Sequence, residues 1–273
     1  MDPGPVHLAA SAPVTDVLCT YRFGPPGPAR VLAIHGLTGH GKRWESLFTR
    51  HLADVPAIAP DLLGHGRSSW DAPWTIDANV AALAALLDAE GGDPVVVVGH
   101  SFGGAIALNL AALRPDLITG LVLLDPAVGL DGRWMREVAE DMYRSPDYTD
   151  RAEARAEKVG GSWGEVAEDE LDRELDEHLV DQADGRVGWR ISIPAMLCYW
   201  SELTRAAPVP RDGTPTTLVR AQRTDPPYAG DGLIAALDAG LGPNFTLLKW
   251  DCDHMVPLAM PAETAAVIRD HLS

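Results

Sequence analysis

Short apolar runs alternate with longer stretches of helical period along most of the chain, the pattern of strands and helices taking turns. Residues 31–34 (Val-Leu-Ala-Ile), 55–59, 121–124, 216–221 and 245–250 read as strands, and Pro94 opens a run of four valines, Val95 to Val98. Between them lie helical patterns, over about 42–53 and from Thr75 onward. In the second, Ile76, Val80, Leu83 and Leu87 share one face and Thr75 is placed to cap the N-terminus. A last helix starts at Pro261 and ends near Leu272. Strands apolar on both faces, spaced by helices, predict an α/β fold: a mostly parallel central sheet flanked by helices. Ahead of it, residues 6–10 and 16–23 read as two strands forming an antiparallel edge.

The alternation breaks between residues 127 and 212, where the pattern turns helical, charged and rich in tryptophan. So long an excursion is too large for a structureless loop, so it reads as a helical insertion. The expected organisation is a core of residues 1–126 and 213–273 interrupted by a cap at 127–212. Charge falls unevenly on this plan: the net charge is −17, and residues 131–184 hold 18 Asp and Glu against 7 Lys and Arg. That balance argues against nucleic acid and anionic membranes as partners. It also leads one to expect an apolar, uncharged substrate, because an acidic insertion at the mouth of a site would disfavour anions. Runs such as 165–177 read as solvated helix faces. Trp134, Trp189, Tyr199 and Trp200 either line a pocket or form the insertion's own small core.

Chemistry enters where the valine run ends. Gly99-His100-Ser101-Phe102-Gly103 sits between a buried strand and an alanine-rich helical pattern, the context of a sharp turn that lifts a serine hydroxyl off a sheet. Upstream, the strand at 31–34 runs into His35-Gly36-Leu37-Thr38-Gly39; downstream, His254 follows the last strand. With Asp61-Leu62-Leu63-Gly64-His65-Gly66-Arg67-Ser68 and Asp253-His254-Met255-Val256-Pro257, these motifs stand in an order that resembles the α/β-hydrolase family over most of the chain. The resemblance implies a capped, esterase-like serine hydrolase. Ser101 is then the nucleophile, His254 its base, and the backbone N–H groups of Leu37 and Phe102 the oxyanion hole. It implies structural roles for His35, His65 and His100. The acid expected behind the histidine is Asp225, after the strand at 216–221, which matches the family's commonest position; Asp125, one strand earlier, is the alternative. Asp251 and Asp253 lie too close to His254 in sequence to orient its ring from behind.

Several classes drop out. The elbow string is not G-x-G-x-x-G, no histidine pair or acidic cluster has convincing ligand spacing, and so neither a cofactor nor a metal is expected. A serine at the elbow argues against epoxide or haloalkane hydrolysis, which use an aspartate there. The three cysteines, Cys19, Cys198 and Cys252, form no C-x-x-C pair; with no apolar leader or membrane-length stretch, the expected setting is cytoplasmic. The reading is a hydrolase of carboxylic esters acting through an acyl-enzyme. A thioesterase, a C–C bond hydrolase of ring-cleavage diketones and a slow-turnover ligand receptor stay compatible with the same residues.

Overall fold

The computed structural model describes residues 17–273. The strand expected at 6–10 lies outside them. Among the described residues seven strands form one sheet: β1 (Thr20–Phe23), β2 (Val31–Ile34), β3 (Ala57–Pro60), β4 (Val95–His100), β5 (Ile118–Leu124), β8 (Thr216–Ala221) and β9 (Phe245–Trp250). Their spatial order is β1-β3-β2-β4-β5-β8-β9, with only β1 antiparallel to its neighbour. The expected mostly parallel sheet is therefore present; its antiparallel edge strand, β1, pairs with β3 and not with the strand expected at 6–10, which lies outside the described residues.

The valine strand shows why the sheet is buried on both faces. Side chains along a strand alternate in direction, and here Val95 and Val97 belong to one apolar cluster while Val96 and Val98 belong to another. On the first face lie α2 (Ile76–Ala89), α3 (Phe102–Leu113) and α8 (Asp231–Leu241), through residues such as Leu83, Ile106 and Leu237. On the second lie α1 (Glu45–Arg50), the short α9 (Val256–Ala259) and α10 (Pro261–Asp270), through Phe48, Val256 and Ile268. Thr75 caps α2, its Oγ1 accepting the Ala78 N–H at 3.0 Å. The helix expected at 42–53 is shorter, a 3₁₀ turn at Gly41–Trp44 followed by α1.

Between β5 and β8 the chain forms α4 (Gly132–Arg144), α5 (Arg151–Gly160), α6 (Glu168–His178), a hairpin of β6 (Leu179–Asp181) and β7 (Val187–Trp189), and α7 (Ile193–Glu202). Helices were expected there; the hairpin was not. Its strands are three residues each, too short to show a period of two. Tyr148, Trp163, Leu171 and Leu175 make a small separate apolar cluster that reaches the core through Met255 and Leu258. Among the described residues no helix is long and apolar enough to cross a membrane.

Candidate active site

The C-terminal ends of parallel strands point to one edge of a sheet, and a crevice opens where successive connections leave in opposite directions. In this sheet that point lies between β2 and β4, which pair with Ile34 opposite Gly99. The loop after β2 carries Leu37, and the turn after β4 carries Ser101.

Ser101 sits at φ 54° and ψ −119°, a left-handed conformation that a non-glycine residue adopts only when its surroundings impose it. The packing does impose it. A Cβ on Gly99 would lie 2.4 Å from the Gly103 carbonyl oxygen, and one on Gly103 would lie 2.3 Å from that of Ile34. Glycine at both positions lets β4, α3 and β2 approach this closely. The Ser101 N–H donates to the Leu124 carbonyl at 3.0 Å, and its own carbonyl accepts from Gly104 and Ala127. The turn is thereby pinned to β5 and to α3 through its backbone, and the hydroxyl takes no part in holding it.

That hydroxyl meets His254, whose Nε2 lies 2.9 Å from Ser101 Oγ. The ring's Nδ1 lies 2.6 Å from Oδ2 of Asp125. Asp125 is wholly buried, and its second oxygen accepts the Ala221 N–H at 3.1 Å. The structure therefore corrects the expectation about the acid. Asp225 is exposed in the turn after β8, and the carboxylate behind His254 is the alternative, Asp125, directly after β5. The reason is topological: β5 stands next to β4, so its end is closer to Ser101 than the loop leaving β8. Asp251 pairs with Arg223 instead, and Asp253 accepts the His254 backbone N–H.

Three further side chains shape the histidine's surroundings. His100 donates from Nε2 to the His254 carbonyl at 2.7 Å, anchoring the loop; burial, and then the neighbouring His254, keep His100 well below the usual histidine pKa. The Tyr228 ring stacks on His254 with centroids 3.8 Å apart and planes at 23°. Tyr228 went unnoticed in the sequence, where a tyrosine in a Pro-rich turn carries no signal. The insertion contributes Glu165, which accepts the Asp253 N–H at 2.9 Å.

The loop after β2 is equally constrained. His35 Nε2 accepts the Leu62 N–H at 3.0 Å, so the ring's proton sits on Nδ1, which donates to the Gly36 carbonyl at 2.8 Å. The Gly39 N–H donates to the same carbonyl at 3.0 Å. Because a peptide unit is planar, fixing the Gly36 carbonyl fixes the Leu37 N–H on its opposite side. Among the backbone bonds of loops, turns and caps in the described residues, neither the Leu37 nor the Phe102 N–H is engaged. Asp61 holds the adjoining loops through the Gly41 and Arg67 N–H groups at 2.6 and 2.8 Å.

A cavity of about 150 Å³ opens over Ser101 and His254, lined among others by Leu37, Trp163, Trp200 and Tyr228. Of the aromatic residues singled out in the insertion, Trp200 lines this cavity. Tyr199 is fully buried and bonded to Leu63 and Asn79, and Trp134 packs on Tyr228. Trp163, which lines the cavity, was not singled out. Burial pushes the Cys252 thiol up to about 11, consistent with a packed, unreactive group. Among the described residues no group of three or more His, Cys, Asp or Glu side chains is placed to hold a metal. Chemically, a serine hydroxyl on an imidazole whose other nitrogen faces a buried carboxylate is set to pass its proton to the ring.

Comparisons with known proteins bear on the family and the fold. Residues 31–267 match a model described as the alpha/beta hydrolase family. The chain is 64% identical to Lipase LipV of Mycobacterium tuberculosis over 251 residues, 92% of this chain and 96% of that protein. It is 38% identical to Esterase Rv0045c of the same organism over 106 residues, 38% of this chain and 35% of that one. Among solved structures it resembles an E-2-(acetamidomethylene)succinate hydrolase, with a TM-score of 0.80 at 20% identity over 94% of this chain and 97% of that one. An esterase from Thermogutta terrifontis has a TM-score of 0.67 at 20% identity, over 93% and 92%.

Proposed function

Because the chain belongs to the alpha/beta hydrolase family and is at that general level an ester hydrolase, we propose that it cleaves carboxylic esters through an acyl-enzyme on Ser101. The observation that carries this reading is the hydrogen-bonded series from Ser101 Oγ through His254 to Asp125, set beside two unengaged backbone N–H groups.

Ser101 attacks the ester carbonyl while His254 Nε2 takes the hydroxyl proton. Asp125 accepts the Nδ1–H, which keeps the ring in the tautomer that offers Nε2 to the serine and stabilises the imidazolium as it forms. The Tyr228 ring face adds to that stabilisation, since an aromatic face attracts a cation. The negative charge growing on the carbonyl oxygen is taken by the N–H groups of Leu37 and Phe102, the second at the start of α3, where the helix dipole favours an anion. One such donor typically supplies about 2.7–4 kcal/mol in related sites. His254 then returns its proton to the leaving alkoxide. Water, deprotonated by the same ring, releases the acid. Nucleophile, base and electrostatic groups are all in the polypeptide, so the derived reaction needs no cofactor. In this reading residues 127–212 are the cap and 1–126 with 213–273 the core.

Labelling with a fluorophosphonate and turnover of a chromogenic ester test the assignment together. Ser101→Ala is expected to abolish both while leaving circular dichroism and thermal midpoint close to the parent's. Label found on any other residue of the parent overturns it.

A further inference from the structure

A second chamber, of about 430 Å³, adjoins the cavity over Ser101, and the two share Thr38, Ser162 and Trp163. Most of its walls are apolar, with Met142, Trp189, Ile191 and Ile193 among them, but Lys158 also lines it. The Lys158 side chain is only 10% exposed, and its Nζ lies 4.2 Å from the ring centroids of both Trp163 and Trp189. An ammonium has three N–H donors. One meets an oxygen, Oε1 of Glu174 at 3.1 Å.

That carboxylate is heavily shared. Arg43 donates to both of its oxygens, at 3.1 and 2.5 Å, and His40 Nε2 lies 3.0 Å from one of them. A single buried carboxylate thus faces two cations, Arg43 and Lys158, and does not cancel both. Burial pulls Lys158 below the usual lysine value, to about 8, against the pull of Glu174. Two carboxylates, Asp141 and Glu157, also line the chamber, and Glu157 acts on Lys158 electrostatically. Asp141 is 80% exposed, and Glu157, also exposed, accepts the Tyr148 hydroxyl at 2.8 Å. Water screens charges in such exposed positions strongly, whereas a buried ammonium is screened much less.

We propose that this chamber is a subsite for a carboxylate carried by the substrate, with Lys158 as the cation that recognises it. The substrates it favours are esters bearing a second, free carboxylate across an apolar spacer, such as half-esters of dicarboxylic acids. The inference rests on Ser101 being the nucleophile. It replaces the expectation of an uncharged substrate, which rested on the acidity of the insertion: those charges sit largely on exposed helix faces, whereas the charge inside is positive.

The test compares p-nitrophenyl hexanoate with the mono-p-nitrophenyl ester of adipic acid, which has the same chain length and a terminal carboxylate. The parent is expected to show kcat/KM higher for the adipate ester by about tenfold or more, as a charge-assisted hydrogen bond confers, and to keep that preference in high salt. Lys158→Met is expected to lose the preference, its kcat/KM falling by about tenfold more on the adipate ester than on the hexanoate ester. Lys158→Arg, which keeps the charge, should retain it. Equal ratios in parent and Lys158→Met overturn the subsite, as does a parallel loss on both esters, the signature of a lysine that only packs the insertion. Should Lys158→Met fail to fold, competitive inhibition of the parent by free adipate, and not by hexanediol, reads the same property; no inhibition overturns it. Failure of both esters to turn over, with Ser101 unlabelled, is a different result and removes the hydrolase reading itself.

Discussion

Asp125 and Asp225 show how far a residue's role depends on where its neighbours stand. Both end or follow a strand of the same sheet, and both were weighed from the sequence. Only Asp125 is buried against His254, with its other oxygen on the Ala221 N–H. Loss of the corresponding carboxylate in serine proteases costs about 10⁴ in kcat, because the ring then adopts the wrong tautomer. Asp125→Asn is therefore expected to lower kcat by about that factor, and Asp225→Asn to change it by less than about twofold. Steady-state kinetics on samples matched by circular dichroism decide the ranking, and the reverse order would move the acid to the next strand. Ser101 and His254 were legible as candidates because glycine spacing and position after the last strand leave traces in sequence. Tyr228 and Lys158 leave none: a stacked ring and a buried ammonium are defined by what folds against them.

Elements were read best where a local rule governs them. The cap of α2 is such a case. Thr75 Oγ1 satisfies an N–H that the helix itself leaves unpaired, an interaction typically contributing about 1 kcal/mol. Thr75→Ala is expected to lower the thermal midpoint by about 2–4 °C without altering the site, measured by calorimetry. A shift outside that range in either direction would mean that Thr75 does something other than cap. Strands β4 and β5 were legible for a related reason: burial on both faces demands an uninterrupted apolar run. The hairpin β6–β7 has no such signature. It is held by cross-strand pairing, by the Tyr148 backbone on Val187 and by Trp189 packing near Lys158, all of which are partners distant in sequence or in another element.

At the scale of the whole molecule, buried histidines set the response to acid. Desolvation holds His35, His100 and His178 well below the usual histidine value and His65 at about 3, where the ordinary value is 6.5. Each folded pKa is depressed, so below about 6.5 the unfolded chain binds protons that the folded chain refuses, and stability falls as pH falls. Each ring contributes at most about 1.4 kcal/mol per pH unit through this window. Glu174 acts in the same sense at lower pH. Burial alone would raise its pKa, but Arg43, Lys158 and His40 hold it well below the usual value, so the stability it adds is lost as pH drops through that lowered value. Denaturant unfolding is expected to show a lower midpoint at pH 5 than at pH 7.5, with the decline setting in near pH 6.5. A decline that begins only below about pH 4.5 would assign acid sensitivity to carboxylates alone.

The sequence by itself determined the parallel sheet, the elbow at Ser101, the place of His254 after the last strand and the presence of a long stretch between β5 and β8, because period, glycine spacing and strand length are local consequences of backbone sterics and burial. Tertiary structure decided which strand end delivers the carboxylate, which aromatic ring covers the imidazole, and that an acidic insertion turns a lysine inward beside the cavity. These are relations between segments up to 129 residues apart, as Asp125 and His254 are. They depend on strand order and on the paths of loops, which no short window of sequence contains.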